Sequence, residues 1–215
     1  MYGAMYVGVS MPELATDQHV PELARQGKAA QKQFHAWGHK RPLMYRIFMP
    51  DASPAAIAVG LKHGQNYCWD AGQCRLRYAW YGGFVDPSPV WRGNGNGLAG
   101  VLGTKYWESE MPGTIRVGGG DSEPEFLGYK KVDGQPEFHF RVNDTDVYEL
   151  ITPLHSIIGI QRSFRIPNNT QPVSLPVGPT SRVAFEHSAG KLENGLLTLS
   201  AEEARAFTVF IGLIK

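Results

Sequence analysis

The chain has 215 residues, of which 42% are hydrophobic and 19% charged, with a formal net charge of +1. That length supports one substantial core, or one main domain with a small appendage. A near-neutral balance without a Lys/Arg cluster gives no field for a phosphate backbone, which removes nucleic acid from the candidate partners. No apolar stretch approaches the roughly 20 residues of a membrane-spanning helix.

Residues 1–42 differ from the rest and are read as an N-terminal extension. "MYGAMYVGVSM" is expected to form one short strand; it lacks the basic n-region and sustained apolar run of a signal peptide, although a processed, exported chain would look the same. "VPELARQGKAAQKQFHAW" places Leu23, Gly27, Ala30, Phe34 and Trp37 at helical spacing behind Pro21 and Glu22, which suit a first turn. The spacing predicts a helix over 21–37, ended by "GHKRP".

From Leu43 to the end, at 215, the period becomes two. "LMYRIFM", "AAIAVGL" and "NYCWD" stop at turn signals, and "CRLRYAWYGGF" is expected to carry Cys74, Leu76, Tyr78 and Trp80 on one face with Arg75 and Arg77 on the other. "EFHFRV" alternates Phe138, Phe140 and Val142 with Glu137, His139 and Arg141. "VYELITP", "SRVAFEH", "KLENGLLTLS" and "FTVFIGLI" continue the series, with Asn194-Gly195 as a two-residue hairpin signal. The 25 glycines and 15 prolines suit such a chain. About ten to twelve short strands without alternating helices predict an all-β fold, an antiparallel β-sandwich over 43–215. Two strand-poor stretches, 86–100 and 166–180, are expected to be ordered loops.

Three groups of residues bear on chemistry. Cys68 and Cys74 flank a short turn, so a hairpin would set them opposite or nearly so; a cross-strand disulfide and a pair of buried free thiols are balanced alternatives. Two thiols alone do not make a zinc site. Tyr81 and Trp91, with Asp86, Arg92, Asn94 and Asn96 beside them, combine aromatic faces with short polar groups and are the candidate sugar-binding set; the competing reading is an aromatic lid that pins the loop. His35 and His39 lie four apart at the end of the expected helix and are an incomplete metal or haem pair. "GNGNG" has the wrong spacing and context for a dinucleotide fingerprint. No nucleophile elbow is present, and paired carboxylates such as Asp70 with Asp86, or Asp144 with Asp146, have no separation that sequence can supply.

The runs "YRIFMPDASPAAIAVGL", "NYCWDAGQCRLRYAWYGGFVD", "VWRGNGNG", "VLGTKYW" and "FLGYKKVDGQPEFHF", together covering roughly 43–149, resemble a domain of unassigned function. That domain occurs in large extracytoplasmic bacterial proteins that also carry c-type cytochrome and sugar-dehydrogenase-like domains. Upstream, "MYGAMYVGV" is similar to the last strand of a cupredoxin, and "ELARQGKAAQKQFHAWGHK" to the opening helix of a c-type cytochrome. His35 and Gly38 stand where the thioether cysteines would be, which forbids covalent haem there, while His39 keeps the axial-ligand position.

The resulting expectation is a non-catalytic, extracytoplasmic module, periplasmic or secreted. It would bind carbohydrate or dock onto protein subunits of an oxidoreductase or cytochrome assembly, and no cofactor is expected. The alternatives are a sugar-active enzyme with a pocket on the 86–100 loop, and a haem or metal protein using His35 and His39.

Overall fold

The computed structural model describes residues 41–93, 96–109, 111, 113–120, 123–178 and 183–213. The expected N-terminal strand and helix, with His35 and His39, lie outside these, as does Asn94. The fold is all-β and sandwich-like, built from three antiparallel sheets. The first sheet is a five-strand meander of β1 (Leu43–Arg46), β2 (Ala56–Gly60), β3 (Gln65–Asp70), β4 (Arg75–Asp86) and β5 (Gly100–Glu108). A short sheet contains β6 (Arg116–Val117), β11 (Val173–Pro176), β13 (Lys191–Glu193) and β14 (Leu196–Leu199). The large sheet holds β7 (Pro124–Val132), β8 (Gln135–Val142), β9 (Thr145–Pro153), β10 (Gly159–Arg165), β12 (Val183–His187) and β15 (Ala206–Leu213), in the order β12-β15-β10-β9-β8-β7.

The turn chemistry follows the sequence. Asn194 and Gly195 both adopt positive φ in the two-residue turn between Glu193 and Leu196, and Asp133-Gly134 do the same between Val132 and Gln135. Asn, Asp and Gly are the residues for which this left-handed backbone is cheap. The stretch 166–180, expected as a loop, contains β11. The stretch 86–100 contains a five-residue helix, α1 (Ser88–Arg92), started by the Asp86 carboxylate accepting from the Ser88 N–H at 2.9 Å.

Both faces of the first sheet are covered. One face presents Ile57, Val59, Tyr67, Trp69, Leu76 and Ala79 to a core shared with Phe138, Phe140, Ile151 and Phe164 of the large sheet and Leu175 and Leu197 of the short one. Trp69 stacks on Phe138 at its centre, with ring centroids 4.0 Å apart and planes 2° from parallel. The opposite face presents Ala56, Ala58, Cys68, Tyr78 and Trp80 to a second core closed by Ile47, Met49, Phe84 and Ala99, with Val90 of α1 packed on it.

Strand β4 does not keep the single alternation expected of it. Cys68 pairs with Tyr78 but Trp69 pairs with Leu76, so Arg77 is an extra residue, a β-bulge. One extra residue reverses parity: Cys74 and Leu76 enter the main core, and Tyr78 and Trp80 the second.

Candidate functional site

The register of the β3–β4 hairpin decides the cysteine question. Cys68 lies in the second core and Cys74 in the main core, on opposite faces of the first sheet, and both thiols are free and buried. Of the two alternatives the free thiols are found and the disulfide is not: Asp70 pairs with Arg75 and Trp69 with Leu76, so Cys74 sits in the turn on the Trp69 face, while Cys68 faces the other way opposite Tyr78. Burial pushes the Cys68 thiol up to about 12, opposed by its hydrogen bond with Tyr78. Burial, then the charges of Asp70 and Glu149, raises Cys74 to about 12 as well. Neither thiol has the lowered pKa of a nucleophile or redox centre.

The aromatic set is divided by the same sheet. Trp91, at the end of α1, is 39% exposed and donates its indole N–H to the Tyr45 hydroxyl at 3.3 Å. Tyr45 packs on the second core, as does Val90 beside Trp91. Tyr81, 44% exposed, follows Ala79 in alternation on the main-core face, opposite Gln65. Tyr81 is thus not part of the Trp91 surface. Asp86, Arg92 and Asn96 share the Trp91 loop: Asp86 starts α1, Arg92 is exposed at its end, and the Asn96 N–H donates to the Gly93 carbonyl at 2.8 Å. Gly97 backs the loop where the Pro89 carbonyl approaches too closely for a side chain. Tyr45, 46 residues earlier on β1, meets Trp91 only through the fold, so no spacing in the sequence marks it.

Asp70, Glu149 and Asp146 are engaged within the fold. Asp70 is wholly buried and accepts from the Ser53 N–H, the Ser53 hydroxyl and the Gly72 N–H, closing two turns together. Glu149, 1% exposed, accepts from the Trp69 indole at 2.9 Å and from Arg162 Nε at 2.6 Å. A cavity beside this pair, bordered by Cys74, Thr114 and Phe164, has room for about one water molecule. Asp146 accepts from His139 Nε2 at 3.1 Å and from Arg141 at 3.3 Å on the solvent face of the large sheet. There Tyr148 lies between the His139 ring, with centroids 4.4 Å apart, and the Arg165 guanidinium, 4.5 Å from its centroid.

Among the described residues, no group of three or more His, Cys, Asp or Glu side chains is arranged to hold a metal ion. No helix among them is long and apolar enough to cross a membrane. Comparison of the chain with protein-family models, with curated proteins and with solved structures finds no match.

Proposed function

We propose that the chain is a non-catalytic binding module whose ligand surface is the 86–100 loop, where the exposed Trp91 meets the Tyr45 hydroxyl next to Arg92, on the loop that also carries Asp86 and Asn96. The observation that carries this reading is the Trp91 indole, held by the Tyr45 hydroxyl yet 39% exposed, between Tyr45 and Val90 that both pack on the second core. A fixed aromatic face bordered by short polar groups suits the apolar face and hydroxyl rim of a sugar, and carbohydrate is the ligand class we assign. Binding is favoured over a sugar-active enzyme on the 86–100 loop because Asp70, the carboxylate that would pair with Asp86, is wholly buried and spends its oxygens on Ser53 and Gly72. A general acid or base needs an oxygen within reach of substrate.

An extracytoplasmic place within an oxidoreductase or cytochrome assembly rests on the sequence resemblance. The cysteines lend it no support, since the pair is not placed to close. Titration of the full chain against a panel of soluble oligosaccharides, with Trp91→Ala as the comparison, tests the assignment. A ligand bound by the parent chain and lost in the variant, at an almost unchanged melting temperature, supports it. Equal affinity in both, or no binding across the panel, overturns the sugar assignment.

A further inference from the structure

Two exposed histidines from different sheets meet at one end of the sandwich, on the face of the first sheet away from Trp91. His63 lies in the turn between β2 and β3, and His155 follows β9 in the turn to β10. Their ring centroids are 6.0 Å apart, with planes at 77°.

This meeting is fixed by the backbone. Gln65, 2% exposed and two residues after His63, donates through Nε2 to the Leu154 carbonyl at 2.7 Å and accepts from the Gly159 N–H at 2.7 Å. Leu154 N–H in turn donates to the Gly159 carbonyl at 2.9 Å. One buried amide therefore grips both ends of the turn that carries His155, whose backbone adjoins the clamped Leu154. On the other side, the Leu61 N–H donates to the Gln65 carbonyl at 2.7 Å, closing the turn that carries His63, which has φ 60. The Tyr81 ring stands against Gly64, the residue after His63.

Imidazole nitrogen binds zinc at about 2.0–2.1 Å, so two rings on one ion have centroids roughly 5–6.4 Å apart over the range from tetrahedral to linear. The observed separation lies inside that range, and both side chains are exposed.

We infer that His63 and His155 form a two-imidazole site for a divalent transition-metal ion of the zinc, nickel and copper class, with water in the remaining positions. Imidazole suits these ions, whereas magnesium and calcium require oxygen ligands. An ion held there links the β2–β3 turn to the β9–β10 turn, so it stabilises the fold by mass action.

The test is calorimetric titration of the full chain with Zn2+, followed by thermal unfolding with and without the ion. The expected result is one saturable ion and an upward shift of a few degrees in melting temperature, neither of which Mg2+ reproduces. Both should be lost in His155→Ala and in His63→Asn, the latter chosen because Asn tolerates positive φ. Both should survive in the double variant His35→Ala/His39→Ala, which removes the other histidine pair. Zn2+ binding that persists in the first two variants, that disappears with His35 and His39, or that is absent in the parent chain, overturns the site.

Discussion

Trp69 on β3 donates its indole N–H to Glu149 on β9 across the main core, at 2.9 Å, and the same carboxylate takes the Arg162 Nε proton at 2.6 Å. A carboxylate and a guanidinium are thus held in an interior otherwise filled by aromatic and aliphatic side chains, with Arg162 only 3% exposed. Removing one member strands the other's charge out of water, which costs about 3–5 kcal/mol, whereas replacing both by apolar residues of similar volume is often neutral. Arg162→Met and Glu149→Leu should each destabilise strongly. The double variant should recover most of the loss, less the bond to the Trp69 N–H. Urea unfolding of the three variants checks this; additive losses in the double variant would show that the pair does not act as a unit.

The two thiols should be silent in the native protein. At about 12, neither is a thiolate at ordinary pH, and both are buried. An aromatic disulfide reagent at neutral pH should label neither cysteine in the folded chain and both in denaturant without added reductant. Mass spectrometry of the unreduced, alkylated chain should show two modified thiols; none would mean a disulfide that this fold does not accommodate.

Acid should weaken the solvent face of the large sheet. Burial of Glu137 opposes ionisation, but hydrogen bonds and charges from Lys130 and Arg165 outweigh it and hold its carboxyl below the ordinary value. The hydrogen bond from His139, with Arg141 beside it, does the same for Asp146. A carboxyl depressed in the folded state contributes stability above its unfolded pKa, about 4.3 for Glu and 3.9 for Asp, and loses that contribution as pH falls through the folded value. Stability measured between pH 7 and 2 should therefore decline below about pH 4.5. In Glu137→Gln the decline should be shallower; an unchanged acid limb would place the titrating groups elsewhere.

What the sequence disclosed was local. Asp133-Gly134 and Asn194-Gly195 specify their hairpins because the positive-φ demand is met within two residues, and "EFHFRV" alternates as it reads because β8 keeps its parity from Phe140 to Glu137. Strand β10 was not legible, since Arg162 occupies a core-facing position and only its partner on β9 explains it. β11 was hidden by its length and its proline. The grouping of Tyr81 with Trp91 was not legible, because the faces on which they lie depend on long-range packing. His63 and His155 come together only through Gln65, which bridges two sheets.

Arg77 gives the sharpest test of how β4 is built. Its side chain is half-buried and donates through Nε to the Asp51 carbonyl at 2.6 Å. Truncation to Ala removes that bond and some stem packing, which should cost about 1–2 kcal/mol. Deleting the residue is a different perturbation, since it restores strict alternation along the strand. Leu76 and Tyr78 now face different cores, 2% and 0% exposed, and a deletion would force one segment of the strand to turn its whole set of side chains to the wrong face. Either Cys74 and Leu76 would leave the main core, or Tyr78 and Trp80 the second. Losing even one large buried aromatic costs about 3–5 kcal/mol, a large share of the stability of a domain. The expected outcome is a folded Arg77→Ala and a deletion variant that lacks a cooperative unfolding transition. A deletion variant that unfolds cooperatively near the parent's denaturant midpoint would mean that β4 does not need its extra residue.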